Sequence, residues 1–528
     1  MKKFITQIKH AILLLLPAVN ASRPFVFTNY IFLIMALQIP VISNGQTKTT
    51  DLRTLIVFFD GLRPDYITAE NMPNLYAFKQ KAVYGKNHHS VFPTVTRVNA
   101  SSYATGSYPG THGLMGNSVY IPQADKTKAL NTGNASEIDE ISKATNDQVL
   151  TAVSLGELMQ QSGSSMMVFS SGTSGQALMQ NHKISGGAVI NPSMIRPESM
   201  KEKVMTEIGT VESLGGKHVW IANALMKYGL RLDGPKVSAI WFGDPDGTAH
   251  RDGIGAATSM AAIKTVDEQF GRILKDLESK GLDKNFNILI SSDHGFVTDI
   301  GKIGLADFLI EKGLKKDETS DDVILAGGAV YVKDHDEELI KKIVAALQQE
   351  EWVGGIFTRS KKTGDTQGWV PGTLSFDAIH WAHPERSGDI LVDVNWNDDK
   401  NAAGYAGSSF ARGVAGHGGF SPYEVHIALM AYGPSFKKAI ETDLPSSNVD
   451  LVPTILHLHN IDIPKQMDGR VMYELLNEKT PASAPERAKI NTIEARTDIP
   501  GGKYRLILEQ SILGKYIYLN SAKVIREK

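Results

Sequence analysis

Three apolar runs in this chain each end on an aspartate. RTLIVFF runs into Asp60-Gly61, KVSAIWFG into Asp244-Pro245-Asp246 and then His250, and NFNILISS into Asp293-His294-Gly295. Runs this short, with charge only at their first residue or none, read as strands buried on both faces. Between them the period changes. VSLGELMQQSG reads as a helix leading into a strand, SSMMVFSS, and a long amphipathic helix spans 256–280. HIALMAYG at 426–433 is a further strand. Strands alternating with helices imply an α/β fold, a mostly parallel central sheet flanked by helices. The carboxyl ends of such strands share one edge, where ligands bind. The aspartates are therefore expected to gather in one cleft.

A length of 528 residues allows about three domains, or one large α/β unit with insertions. The texture changes over 305–412, where VILAGGAVYVKD, the charged helix DEELIKKIVAALQQEE, GGIFTRS and GDILVDVNW suggest a small α+β insertion or cap. This divides a catalytic core into 51–304 and 413–480. In the C-terminal extension, 481–528, YRLILEQ and YIYLNSA read as strands added at an edge. Residues 1–45 combine the basic start MKKFITQIKH with two apolar runs and end in Ser43-Asn44-Gly45. They read as a cleaved signal peptide, with a retained N-terminal anchor as the rival. Membrane contact is expected only if that segment is retained.

The chain has no cysteine, which removes disulfides, thiolate metal sites and cysteine nucleophiles together. An exported protein without disulfides points to a bacterial periplasmic or secreted location. The formal charge is −2, or −6 without the four N-terminal bases Lys2, Lys3, Lys9 and Arg23. Such a balance argues against a polymeric nucleic acid as partner and leaves room for a small phosphate ester held by metal ions.

Taken singly, each candidate ligand has an ordinary structural explanation. Asp60 after a strand suits a turn or helix cap, Asp244 a plain turn, Asp246 and His250 a surface pair, and His417 in Ala415-Gly416-His417-Gly418-Gly419 a solvated loop. Asp293-His294 resists this, because two ligand-type residues directly after an apolar strand bring polar groups where burial is costly without partners. Together they form a carboxylate and imidazole set without thiolate, which suits zinc better than manganese, iron or calcium. Six such ligands suffice for two ions on either side of a phosphoryl group.

The stretch VFPTVTRVNASSYATGSYPGTHGLMGN (91–117) offers Thr94, Thr96 and Thr105 as hydroxyls. VFPTVT reads as extended and RVNASSYATG as a helix. Thr96 then stands at a helix start, as an N-cap or as a nucleophile facing a phosphoryl group. Asn99-Ala100-Ser101 is a formal glycosylation sequon; a glycan there would block a catalytic stretch, which argues against a eukaryotic secretory route.

These segments resemble the alkaline phosphatase superfamily, in its nucleotide pyrophosphatase/phosphodiesterase branch (the type I phosphodiesterases). The resemblance covers roughly 51–476 and rests on VFFDGLRPDY, PTVTRVNASSYATGSYPGTHGLMGN, GDPDGTAHRDG, SSDHG, GHGG and VDLVPTILHLHNIDIPKQMDGR in that order. It implies two Zn2+ per chain. One would be held by Asp246, His250 and His417, the other by Asp60, Thr96, Asp293 and His294. It selects Thr96 over Thr94 as nucleophile and gives Asn117, otherwise a turn residue, the role of donor to a phosphoryl oxygen. The implied activity is hydrolysis of phosphodiester or pyrophosphate bonds through a phosphothreonine.

Two features depart from the pattern. Arg97 stands where many members carry an aromatic residue, which puts nucleotide preference in question. VFSSGTSGQALMQ lacks the Lys or Arg that related monoesterases use, which favours diesters. His182, Lys183, His380 and His383 read as surface or core-edge positions. The alternatives are a phosphomonoesterase or phosphonate hydrolase of the same superfamily, and a metal-stabilised surface binding protein without turnover.

Overall fold

The computed structural model describes residues 51–484 and 487–527; the expected signal or anchor at 1–45 lies outside the described residues. Ten strands form the central sheet. They are β1 (Arg53–Phe59), β2 (Val83–His89), β3 (Met166–Ser170), β4 (Ala188–Asn191), β5 (Met194–Arg196), β6 (Val237–Phe242), β7 (Phe286–Ser291), β8 (His426–Tyr432), β9 (Ile440–Thr442) and β10 (Ser446–Ser447). Their order is β9-β2-β8-β7-β1-β6-β3-β4-β5, with β10 also paired to β2. β1 lies parallel between β6 and β7, and β3 runs parallel to β4 and β6.

Both faces of the sheet are covered, as the apolar runs require. Along β1, Leu55, Val57 and Phe59 pack on one side with Ile263, Val266 and Phe270 of the helix Ala257–Ser279. Ile56 and Phe58 pack on the other with Ala100 and Tyr103 of helix α1 (Thr96–Thr105). Each such fully buried side chain contributes roughly 1.5–3 kcal/mol. Helix α1 lies inside the molecule, with Val98 through Thr105 all buried, and its small residues admit this close packing.

One strand departs from the parallel pattern in a way that matters for the site. β8 runs antiparallel to both β2 and β7, and its first residue, His426, pairs with His89 at the end of β2. The cause is the loop before it. Gly295 N and Phe296 N, just past the end of β7, donate to Glu424 and Tyr423, so the 417–425 segment is already at the carboxyl edge when β8 begins. From there a strand can only run back down the sheet.

Within 305–412, Val323–Ala326, Ala329–Val332, Ile390–Val394, Val353–Thr358 and Leu374–Ser375 form a separate five-stranded sheet. The C-terminal segment differs from an edge addition. Ala488–Ile499, Gly502–Leu513 and Tyr516–Glu527 form their own antiparallel meander, which shares a core with the five-stranded sheet. Tyr504 Oη donates to Gly354 O at 3.0 Å across that contact. Its first strand, AKINTIEARTDI, is exposed or half-buried at every position but Ala495 and so carries little hydrophobic pattern. Among the described residues no helix is long and apolar enough to cross a membrane.

Candidate metal centre

β1, β6 and β7 end side by side, and the residues that follow them meet. Asp60 and Asp293 are linked through the turn between them, where Gly61 N donates to Asp293 Oδ1 at 2.9 Å. Gly61 has φ +70°, and a Cβ there would stand 3.0 Å from the Phe296 ring and 3.2 Å from the Asp246 backbone. Glycine is needed for both the conformation and the close approach. The ligand atoms of Asp60, Asp293 and His294 lie within 4.8 Å of one another, as do those of Asp246, His294 and His417. His250, one turn after Asp246, brings Nε2 to 3.3 Å from Asp246 Oδ1, and His417 brings its own to 3.2 Å. The rings of His294 and His417 stack at 3.4 Å, so the two groups are contiguous.

The three histidines are oriented alike. His250 Nδ1 donates to Ala415 O at 2.9 Å, His294 Nδ1 to Gly295 O at 3.0 Å, and His417 Nδ1 to Thr94 O at 2.8 Å. A carbonyl oxygen can only accept, so Nδ1 carries the hydrogen and each Nε2 keeps its lone pair for a metal. The carboxylates show the same division. Asp60 Oδ2 accepts from Trp241 Nε1 at 2.9 Å and Asp293 Oδ1 from Gly61. Their other oxygens, Asp60 Oδ1 and Asp293 Oδ2, are buried without a donor among the described residues, as is Asp246 Oδ1. Buried acceptors left unpaired are costly, and three that converge beside imidazole lone pairs fit a cation site.

Electrostatics agree with this geometry. Burial, and then the charges of Asp293 and Asp246, push Asp60 well above the usual carboxylate range. Burial also raises Asp293, to about 7. Burial depresses His294, and it depresses His417 to about 4, keeping both neutral.

Thr96 is the first residue of helix α1, and no side chain caps the helix at Val95. The positive end of the helix and the threonine hydroxyl therefore share one place. Thr96 Oγ1 lies 3.3 Å from His294 Nε2. Thr94, two residues earlier, has its hydroxyl engaged by Gly419 O and Gly418 N. Asn117 Oδ1 accepts from Arg97 N at 3.0 Å, which ties that side chain to the first turn of α1. Asn99 is fully buried and anchors the loop through Val91 N and O, so the sequon is closed to glycosylation in the folded chain.

Several positions lie elsewhere or do something else. Asp244 is not a plain turn residue: it is buried, accepts from His218 Nε2 at 2.7 Å, and caps Thr248 N at 3.0 Å. The Asp-Pro dipeptide looks like a turn, and nothing in GGKHVW announces His218 as its partner. Lys183 pairs with Glu157, His380 stacks on Tyr108, and His383 contacts Thr151. His182 belongs to neither ligand group. Trp241, which orients Asp60, was invisible as a site residue because it sits inside an apolar strand. The carbonyls that orient the histidines belong to the backbone and leave no residue signature.

The family model described as type I phosphodiesterase / nucleotide pyrophosphatase matches residues 54–399. Bis(5'-adenosyl)-triphosphatase enpp4 of Xenopus laevis is 23% identical over 430 residues, 80% of this chain and 81% of that protein. Human ectonucleotide pyrophosphatase/phosphodiesterase family member 5 is 22% identical over 474 residues, 86% of this chain and 85% of its own. Among solved structures, murine ENPP5 superposes with a TM-score of 0.56 at 18% identity, covering 78% of this chain and 96% of that one. An inactive variant of it, in complex with AMP, gives the same values. With the family model spanning well over half the sequence, the chain belongs to the type I phosphodiesterase / nucleotide pyrophosphatase family of hydrolases, a branch of the alkaline phosphatase superfamily.

Proposed function

We propose that this protein hydrolyses phosphodiester and pyrophosphate bonds of small substrates outside the cytoplasm, with Thr96 as nucleophile and two zinc ions as cofactors. The observation that carries the proposal is the position of Thr96 Oγ1, 3.3 Å from His294 Nε2 and beside buried carboxylate oxygens that lack donors. One ion is assigned to Asp246, His250 and His417, the other to Asp60, Asp293, His294 and Thr96. When bound, the ions supply positive charge that lowers the hydroxyl pKa and neutralises the departing oxygen.

The chain's own groups account for the remaining steps. Thr96 releases its hydroxyl proton to water, and Oγ1 forms a bond to phosphorus in line with the scissile P–O bond, whose electron pair leaves with the departing oxygen; water protonates that oxygen. The phosphoryl group stays on Thr96 as an ester until water attacks phosphorus and returns the hydroxyl. Asn117 Oδ1 is occupied by Arg97 N–H, which leaves its Nδ2 to donate to a phosphoryl oxygen. The first-turn amides of α1 add fixed positive charge at the same place.

The relatives named for bis(5'-adenosyl)-triphosphate hydrolysis, and the AMP complex of murine ENPP5, support nucleotide phosphoesters as substrates. Relative rates on bis-p-nitrophenyl phosphate, p-nitrophenyl phosphate and phosphonoacetate separate this from monoester and phosphonate hydrolysis. Thr96→Ala tests the nucleophile: turnover falls at least about 10³-fold while bound zinc stays at the wild-type level. An active Thr96→Ala protein overturns the mechanism. The pattern of residues 1–45 supports export, and N-terminal sequencing of protein from fractionated cells tests it.

A further inference from the structure

Arg97 follows the proposed nucleophile, and its guanidinium is out of place by ordinary rules. Its Nε is buried with no acceptor, and the side chain makes no ion pair with any described carboxylate. A guanidinium does not give up its proton, so it cannot relieve burial by neutralising. A partly buried cation without a partner is costly, and such arginines are normally paired. Asp60, Asp246 and Asp293 are close enough to favour its charge, but each is a candidate metal ligand.

The surroundings show where it reaches. Arg97 Nη2 lies 3.5 Å from the point where a Cβ of Gly133 would stand, so the guanidinium reaches the loop that carries Gly133. Gly133 belongs to a loop fastened on both sides: Thr132 N donates to Asn117 O at 3.1 Å, and Gly175 N to Gly133 O at 2.9 Å. Thr96, Asn117 and the Arg97 head thus line one wall. A guanidinium fork there fits a phosphate bidentately. Arg97 N–H is bonded to Asn117 beside the reacting centre, and the charges of Asp60, Asp246 and Asp293 act on the guanidinium, which keeps the fork close enough to hold a phosphate next to the one attacked.

We propose that Arg97 is a specificity-determining residue that binds the second phosphate of a pyrophosphate-linked substrate, next to the phosphorus attacked by Thr96. This rests on the hydrolytic role proposed above for Thr96. It commits the site to P–O–P compounds over diesters whose two arms are uncharged.

Binding and kinetics test it separately. In zinc-loaded Thr96→Ala protein, calorimetry should show α,β-methylene-ADP binding more tightly than AMP, by about 10- to 100-fold, the range of a charge-assisted hydrogen bond. Adding Arg97→Ala should erase that preference, and Arg97→Lys should restore part of it. In otherwise wild-type protein, Arg97→Ala should lower kcat/KM on diadenosine triphosphate by about 10- to 100-fold. On bis-p-nitrophenyl phosphate the fall should be at most about threefold. An equal fall on both substrates, a preference that survives Arg97→Ala, or a loss confined to p-nitrophenyl phosphate overturns the assignment. If the wild type cleaves neither compound, the hydrolytic role fails, and the calorimetric comparison still decides the role of Arg97.

Discussion

Thr94 and Thr96 are two residues apart, and their hydroxyls have opposite circumstances. Thr94 Oγ1 donates to Gly419 O at 2.8 Å and accepts from Gly418 N, while its carbonyl receives His417 Nδ1–H. Thr96 Oγ1 faces His294 Nε2 at 3.3 Å. Thr94 fastens the loop that carries the candidate ligand His417, whereas Thr96 presents a hydroxyl to the candidate centre.

Thr94→Val should therefore weaken zinc binding about 10-fold, with most of the turnover regained at saturating zinc. Thr96→Ala should leave zinc binding largely in place and not regain turnover at any zinc concentration. Zinc titration with activity read at each point separates the two. Equal rescue of both variants would contradict the division of roles.

Trp241 Nε1 is the donor to Asp60 Oδ2, and its ring stacks on Phe58 at 4.4 Å. Trp241→Phe keeps much of the stacking and removes the donor. Zinc affinity should drop about 10- to 100-fold, as for other groups that orient metal ligands. Competition with a chelator of known affinity measures it.

Asp293→Asn should change sign with metal. Without metal, Asp293 titrates near 7 in the folded chain against an ordinary value of 3.8. A carboxyl whose pKa is raised by folding favours the folded state below its unfolded pKa, and that contribution is lost as pH rises through about 7. In chelated protein the variant should therefore be more stable at pH 8, by about 1–3 kcal/mol, since Asn still accepts from Gly61 N. In zinc it should be the less stable of the pair. Urea unfolding with and without chelator checks both halves.

His112 gives the opposite pH dependence. It is fully buried, its Nδ1 accepts from Leu114 N at 3.1 Å, and Nε2–H donates to Ser102 Oγ at 3.0 Å. Burial lowers its pKa to about 3, and His88 is lowered to about 3 by burial as well. Depressed histidines contribute stability that is full above about pH 6.5 and is lost as pH falls toward 3. Urea midpoints should fall across that window, and His112→Gln should flatten the fall. An unchanged slope would remove His112 from the account.

Much of the centre could be read from the sequence because Asp60, Asp246 and Asp293 follow strands too apolar to be anything but buried. Their meeting at one edge is a consequence of parallel order. His417 was legible only as a ligand type in a flexible loop. What puts it in reach is the pairing of Ala415–Gly416 with Val297–Thr298 just past β7, which no residue of the loop announces. Asp244 was misread because a strand followed by Asp-Pro looks like an exposed turn, and its partner His218 is remote in sequence. The strand AKINTIEARTDI escaped notice because one of its faces meets solvent and the other carries few large apolar residues. Arg97 was visible as a departure, but its lack of an ion-pair partner needed coordinates.

The reversed strand also fixes the order in which the centre can be built. β8 lies between β2, which leads to Thr96, and β7, which leads to Asp293 and His294. Until residues 426–432 have been synthesised, those two halves have no strand joining them. A chain halted before that point carries two unsatisfied sheet edges and an incomplete ligand set. The full candidate ligand set is therefore assembled late, only in a polypeptide that has been made nearly to its end.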